Sequence, residues 1–138
     1  MIRPTLTALA LLAAATPALA ETGARQAILD GFATEARAAE PGFDGFSAER
    51  GETLFRTEHA SGKPETPACV ACHDPDPAQA GETRAGKTIA PMAVSANPER
   101  YTDPDKVAKW FGRNCRSVLG RACTAREKGD FLTFMIQQ

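Results

Sequence analysis

The sequence predicts an all-α fold, and three observations predict it. Apolar residues recur at helical spacing in several stretches, capping residues and helix-stopping glycines punctuate them, and no alternating pattern around a turn signals a β-hairpin. The 138 residues suffice for about one domain. The first 20 read as a separate segment. Arg3 gives a positive start, Leu6 to Ala15 is apolar, and Ala18-Leu19-Ala20 is a small-residue cleavage site, the pattern of a secretory signal peptide. The apolar run is too short to span a membrane, and no second one follows. An integral membrane protein and a multidomain enzyme are thereby excluded. Cleavage after Ala20 would leave residues 21–138 and remove one base, Arg3, from the 16, so that 15 basic side chains face 17 acidic ones. That balance offers no strongly basic surface to nucleic acid or an anionic membrane. The expected compartment is the periplasm, which is oxidising.

Residues 24–39 form the first predicted helix, with Ala24, Ala27, Ile28, Phe32 and Ala36 on one side, ended by Pro41-Gly42. Ser47 caps a second from Ala48 to Thr57, with Leu54 and Phe55 inward and Gly51 on the same side. From Asp74 to Arg100 the chain is rich in Pro, Gly, Ala and Thr and reads as loop. A loop that long in a small domain needs something to wrap. Asp103 caps the third helix, Pro104 takes its first position, Asp105 lies in its first turn, and Gly120 stops it. Val107, Trp110, Phe111, Asn114 and Val118 form its expected inward stripe. Thr124 to Glu127 is a capping box that opens the last helix, which buries Phe131, Leu132, Phe134 and Met135.

Chemistry enters at Cys69-Val70-Ala71-Cys72-His73. This is C-x-x-C-H, the attachment site of a c-type haem. Two thioether bonds hold the porphyrin, and the histidine directly after the second cysteine is placed under the iron as the proximal ligand. One motif means one haem. Zinc would need a second ligand pair, and Cys115 with Cys123 is widely spaced for that. A redox dithiol would expect a strand before and a helix after, whereas prolines flank the motif on both sides.

The group on the other side of the iron decides function, because a strong soft ligand makes an electron carrier and a weak one a ligand-binding haem or an enzyme. The candidates are His59, Met92, Met135 and Asn114. His59, among Glu58, Ser61, Gly62 and Lys63, reads as a solvated surface residue. Met135 reads as core filler. Met92 is the serious rival, since methionine is the usual partner of histidine in electron carriers. Asn114 interrupts an apolar stripe. Its amide either hydrogen-bonds a buried carbonyl or coordinates iron. An enzyme reducing oxygen, nitric oxide, peroxide or hydroxylamine would want a distal acid, and none is evident. Arg113, Arg116 and Arg121 read as solvated.

Gly51 and Phe55 in a short helix, an aromatic C-terminal helix and C-x-x-C-H between them resemble the class I cytochrome c fold over roughly residues 47–138. The helix at 24–39 is then an extension. Gly86 to Met92 is similar to the segment in which that family's proline offers its carbonyl to the proximal histidine's ring N–H. The resemblance gives Pro91 that role toward His73 and puts Met92 on the same side of the haem. A more specific likeness follows. Trp110 to Cys115 with Gly120 to Thr124 resembles the sphaeroides haem protein family, monohaem class I cytochromes with asparagine as sixth ligand. The similarity extends through Gly51 to Phe55, Gly62 to Pro64, Thr66-Pro67, Cys69 to His73, Ala85 to Lys87, Ile89 to Pro91 and Tyr101 to Asp103. It implies Asn114 as the ferric iron ligand that leaves on reduction, oxygen and nitric oxide as ferrous ligands, a Cys115–Cys123 disulfide and Trp110 in the haem pocket. It also implies redox partners, a dihaem cytochrome c and a membrane-bound cytochrome b.

Overall fold

A computed structural model describes residues 17–138. The basic and apolar parts of the expected signal peptide, Arg3 and Leu6 to Ala15, lie outside the described residues. Four helices carry the fold: α1 (Pro17–Ala39), α2 (Ala48–Arg56), α3 (Pro104–Leu119) and α4 (Ala125–Ile136). The first begins seven residues before the expected Ala24 and runs through the expected cleavage point. Among the described residues no helix is long and apolar enough to cross a membrane.

Local chemistry fixes the other helix starts. The Ser47 side chain accepts from the Arg50 N–H at the head of α2, and Asp103 accepts from the Asp105 and Lys106 N–H groups at the head of α3. Thr124 and Glu127 form the full reciprocal capping box of α4. Gly120 ends α3 in the left-handed conformation (φ 68°). A Cβ there would also meet the Ser61 carbonyl oxygen at 2.1 Å, so glycine is required twice over.

The core forms where α2 lies against α4. A Cβ on Gly51 would stand 2.1 Å from the Asp130 carbonyl oxygen and 2.9 Å from the Phe134 Cβ, so the two helices approach with no side chain between them. The Asp130 carboxylate seals the same contact. It accepts from the Ser47 N–H (2.7 Å) and from Arg50 Nε and Nη2 (2.7 and 2.9 Å), with its own side chain only 4% exposed. Phe55, Leu132 and Met135 are wholly buried beside it with Met92, Phe131 and Phe134. Each such side chain contributes about 2 kcal/mol of transfer free energy.

Helix α1 lies along α4 through Ile28, Leu29 and Phe32. Arg25, unremarked in the sequence, is 7% exposed. Its Nη1 donates to the Pro98 and Arg100 carbonyls, tying α1 to the loop before α3.

Two expectations are corrected. Residues 74–100 are not all irregular: β1 (Gly81–Glu82) and β2 (Thr88–Ile89) pair antiparallel, Gly81 opposite Ile89. Strands of two residues leave no alternation to detect. The inward stripe of α3 is also rotated. Val107, Cys115, Val118 and Leu119 are buried, whereas Asn114 is exposed and Trp110 is 47% exposed, with Lys109 and Arg113 over its ring. Burial turns toward Cys115 and Leu119 because the loop 61–66 packs on that side. Ser61 Oγ donates to the Leu119 carbonyl and the Lys63 N–H to the Ser117 carbonyl.

Gly51→Ala should therefore lower the stability of the haem-loaded protein by about 3 kcal/mol, the upper end of the usual cost of overpacking. Urea unfolding followed by far-UV circular dichroism checks this, and a loss below 0.5 kcal/mol, the ordinary size of a surface change, would show the helices free to separate.

Candidate haem site

The attachment motif is held by a single 3₁₀ turn, Cys69–Ala71. The Cys72 and His73 N–H groups both donate to the Cys69 carbonyl, at 3.2 and 3.1 Å. The turn holds the two cysteines a single turn apart and hands the chain directly to His73. The hairpin latches on from outside, its Glu82 N–H donating to the Cys72 carbonyl (2.8 Å). A shallow depression of about 650 Å³ lies between motif and hairpin, lined by Cys72, His73, Glu82 and Arg84 among others. Asn114, Met92 and Trp110 are not part of it.

The residues present suit a covalently attached haem. Cys69 and Cys72 are the two cysteines outside a disulfide. Burial pushes the Cys69 thiol up to about 11, which makes it a packed, unreactive group until bonded. His73 is the decisive observation. Its Nδ1 is buried without a hydrogen-bond partner. Burial first, and the positive charge of Arg100 second, push the imidazole down to about 4, so the ring is neutral and free to bind metal.

An aromatic chain joins this histidine to α3. Phe55 lies 6.5 Å from the His73 ring, Phe131 6.2 Å from Phe55, and Phe111 5.6 Å from Phe131, centroid to centroid. Asn114 follows Phe111 by three residues. Cys115, buried directly after it, is bonded to Cys123 with Cα atoms 5.5 Å apart. Met92 is buried in the cluster that Cys69, Tyr101 and Phe111 adjoin, and its Sδ lies 4.0 Å from the Tyr101 hydroxyl. Met135 is fully buried in that cluster.

The site differs from expectation at two places. Pro91 does not offer its carbonyl to His73. That oxygen accepts from Arg100 Nε at 2.7 Å, and Arg100 Nη2 takes the Ala90 carbonyl as well. His59 is not a solvated residue, since its Nε2 is buried without a partner beside Leu54, Arg126 and Asp130. The 59–67 loop folds back on itself, the His59 N–H reaching the Pro67 carbonyl, and this draws the ring in. Trp110 stands 47% exposed on α3. Arg100 carries no signal in the sequence, and Tyr101 enters there only as part of the family likeness. Tyr101 lies in the left-handed region (φ 61°) and donates its hydroxyl to the Met92 carbonyl (3.0 Å).

Four helices around a haem-attachment turn define the class, a monohaem c-type cytochrome carrying one covalent haem c. Over residues 41–135 the chain matches a family described as a domain of unknown function (DUF1924). It is 48% identical over 124 residues to cytochrome c-type protein SHP of Cereibacter sphaeroides, covering 90% of this chain and 92% of that protein. It is 30% identical over 122 residues to cytochrome c'' of Methylophilus methylotrophus, covering 88% and 85%. Among solved structures, oxidized SHP, described as an oxygen binding cytochrome c, superposes with a TM-score of 0.76 at 45% identity, over 83% of this chain and 96% of that one. Oxidized cytochrome c'' superposes with 0.73 at 28% identity, over 84% and 95%. The chain belongs to the SHP family of c-type cytochromes.

Replacing Cys69 or Cys72 by Ser should leave one thioether and cut the yield of haem-loaded protein sharply, read by intact mass and haem absorbance. Equal yields would show that the motif does not carry the haem. Thiol titration of the denatured haem-loaded protein should find no free thiol. The Cys115–Cys123 bridge closes a nine-residue segment, and its removal should cost about 2.5 kcal/mol on the chain-entropy account.

Proposed function

We propose that this protein is a periplasmic cytochrome that couples electron transfer to the binding of a diatomic gas, oxygen or nitric oxide. His73 is the permanent protein ligand of the iron and Asn114 the displaceable one. Asn114 is the observation that carries this reading. It is exposed, so it is not an amide satisfied inside the core, and it directly precedes the buried, disulfide-bonded Cys115. The relative with 45% identity is described as oxygen binding, which supports the gas as ligand.

Haem iron supplies the redox change and, when reduced, an affinity for π-accepting diatomics. The protein supplies the rest. A neutral amide is a weak, hard donor that suits the more positive oxidised metal and loses its hold on reduction. Asn114 thus acts as a lid governed by redox state. His73, half-buried and neutral, stays in place through both states. Trp110, beside Asn114 on α3, presents the apolar surface that would wall the haem on this side. Electrons would arrive from a dihaem cytochrome c and a membrane-bound cytochrome b, the partners that the family resemblance implies. Export through residues 1–20 would bring the protein to them, leaving residues 21–138 as the mature domain.

Burial of Met92 beside Cys69 and Tyr101 favours one rival, a plain electron carrier with histidine and methionine ligands. Two variants separate them. Asn114→Ala should convert the oxidised spectrum to that of a water-bound or open site, while Met92→Leu should leave it unchanged. A sulfur-to-iron charge-transfer band in the wild type, lost in Met92→Leu, would overturn the proposal in favour of that rival.

A further inference from the structure

Helix α3 carries Lys106, Lys109, Arg113 and Arg116, and all four are exposed. At 3.6 residues per turn, Lys109, Arg113 and Arg116 fall within about 60° of one another around the helix. The bases of the neighbouring helices have acidic partners. Arg50 and Arg56 of α2 and Arg126 and Lys128 of α4 each meet a carboxylate, as does Arg121 between α3 and α4. Among the described residues no carboxylate pairs with Lys109, Arg113 or Arg116. Like charges at these spacings weaken a helix. Only Arg116, in the last turn, lies where the helix dipole favours a cation. The Trp110 ring gathers the other two, with Lys109 Nζ and Arg113 Cζ at 5.7 and 5.8 Å from its centre. The whole chain has a formal charge of −1, so the stripe is a local concentration and not a share of a general excess.

We propose that this stripe is the docking face for an acidic protein that exchanges electrons with the haem. Unpaired charge of one sign is poor for folding and good for steering: it speeds encounter with an oppositely charged patch and adds little to affinity. Weak, small contacts of that kind are the rule between redox proteins. The place on the helix fits. Arg113 and Asn114 are consecutive and so point about 100° apart. A partner on the stripe would stand beside the haem while Asn114 keeps its own side for the iron. That nearness rests on Asn114 as the displaceable ligand proposed above, whereas the charge pattern does not.

The haem-loaded protein tests this with an acidic flavodoxin as the probe. Fully reduced flavodoxin passes one electron to the oxidised haem and becomes its semiquinone. The uncharged semiquinone of riboflavin is the control donor, since it senses the exposure of the haem but no charge. Without oxygen and at low salt, Lys109→Gln, Arg113→Gln and Arg116→Gln together should slow the flavodoxin reaction about tenfold. They should also flatten its decline with added salt. The riboflavin rate and the midpoint potential should keep their wild-type values. Arg37→Gln, which removes an exposed charge from α1, should slow flavodoxin by less than about twofold. An unchanged flavodoxin rate in the triple variant would overturn the inference. So would an equal fall with both donors or a shifted potential, since the cations would then serve the haem itself. Capture of the wild type, but not the triple variant, by phosphatidylglycerol vesicles, with the flavodoxin rate unchanged, would overturn it in favour of a lipid surface. Should the triple variant load no haem, Lys109→Gln with Arg116→Gln replaces it, with about threefold slowing expected, and the same outcomes decide. Failure of the ligand reading shows elsewhere, as an oxidised spectrum unmoved in Asn114→Ala, and the flavodoxin rates then decide the docking face alone.

Discussion

Where α2 meets α4, the backbone of one helix rests on the backbone of the other, and most of the molecule depends on that. Gly51 leaves room for the Asp130 carbonyl, and the approach brings Phe55 to zero exposure against Phe131 and Phe134. Phe55 is then the wall against which His73 stands. A buried carboxylate, otherwise costly, is affordable at Asp130 because Ser47 and Arg50 together give it three donors. Helix packing, the capping of α2 and the placement of the His73 imidazole are thus one arrangement.

The elements that the sequence makes legible are those decided within a few residues. Ser47, Asp103 and Thr124 cap their helices by local hydrogen bonds, Gly120 ends α3 by its own backbone preference, and all four expected apolar residues of α4 are buried. The haem cysteines and His73 are legible for the same reason, since covalent attachment imposes the spacing. What escapes is contested at long range. Arg25 carries no local signal of burial, yet it is 7% exposed and donates to two carbonyls more than 70 residues away. Pro91 keeps the carbonyl its pattern implies, but Arg100 reaches it first. His59 follows a polar loop by composition, and the path of that loop buries its Nε2. On α3, period alone cannot tell that the 61–66 loop turns the buried side toward Leu119, leaving Asn114 and Trp110 outward.

Helix α1, which looks in sequence like an addition to a smaller domain, is integral to the site. Ala36 is fully buried and Phe32 stacks edge-on against Phe111 of α3 (6.0 Å). Arg126 at the start of α4 binds Glu40 and Asp44 just beyond the end of α1. Through Arg25, the helix holds the Pro98 and Arg100 carbonyls of the segment that leads into α3. Burial of a guanidinium on carbonyls alone is tolerable because each oxygen has a second lone pair to give.

The end of α3 is fastened twice, by the Cys115–Cys123 bridge and by the 61–66 loop, whose Thr66 and Ser61 side chains reach Ser117 and Leu119. With Asn114 as the displaceable ligand, this makes the asparagine a tethered competitor. A group held by the chain a few ångströms from its target acts at an effective concentration that short tethers bring to the millimolar range or above. A dissolved gas at micromolar levels must overcome that advantage by intrinsic affinity alone. A poor donor on a short leash thus becomes a threshold: it turns away weak ligands and yields to strong ones, and slackening of the leash would lower the threshold without altering the donor.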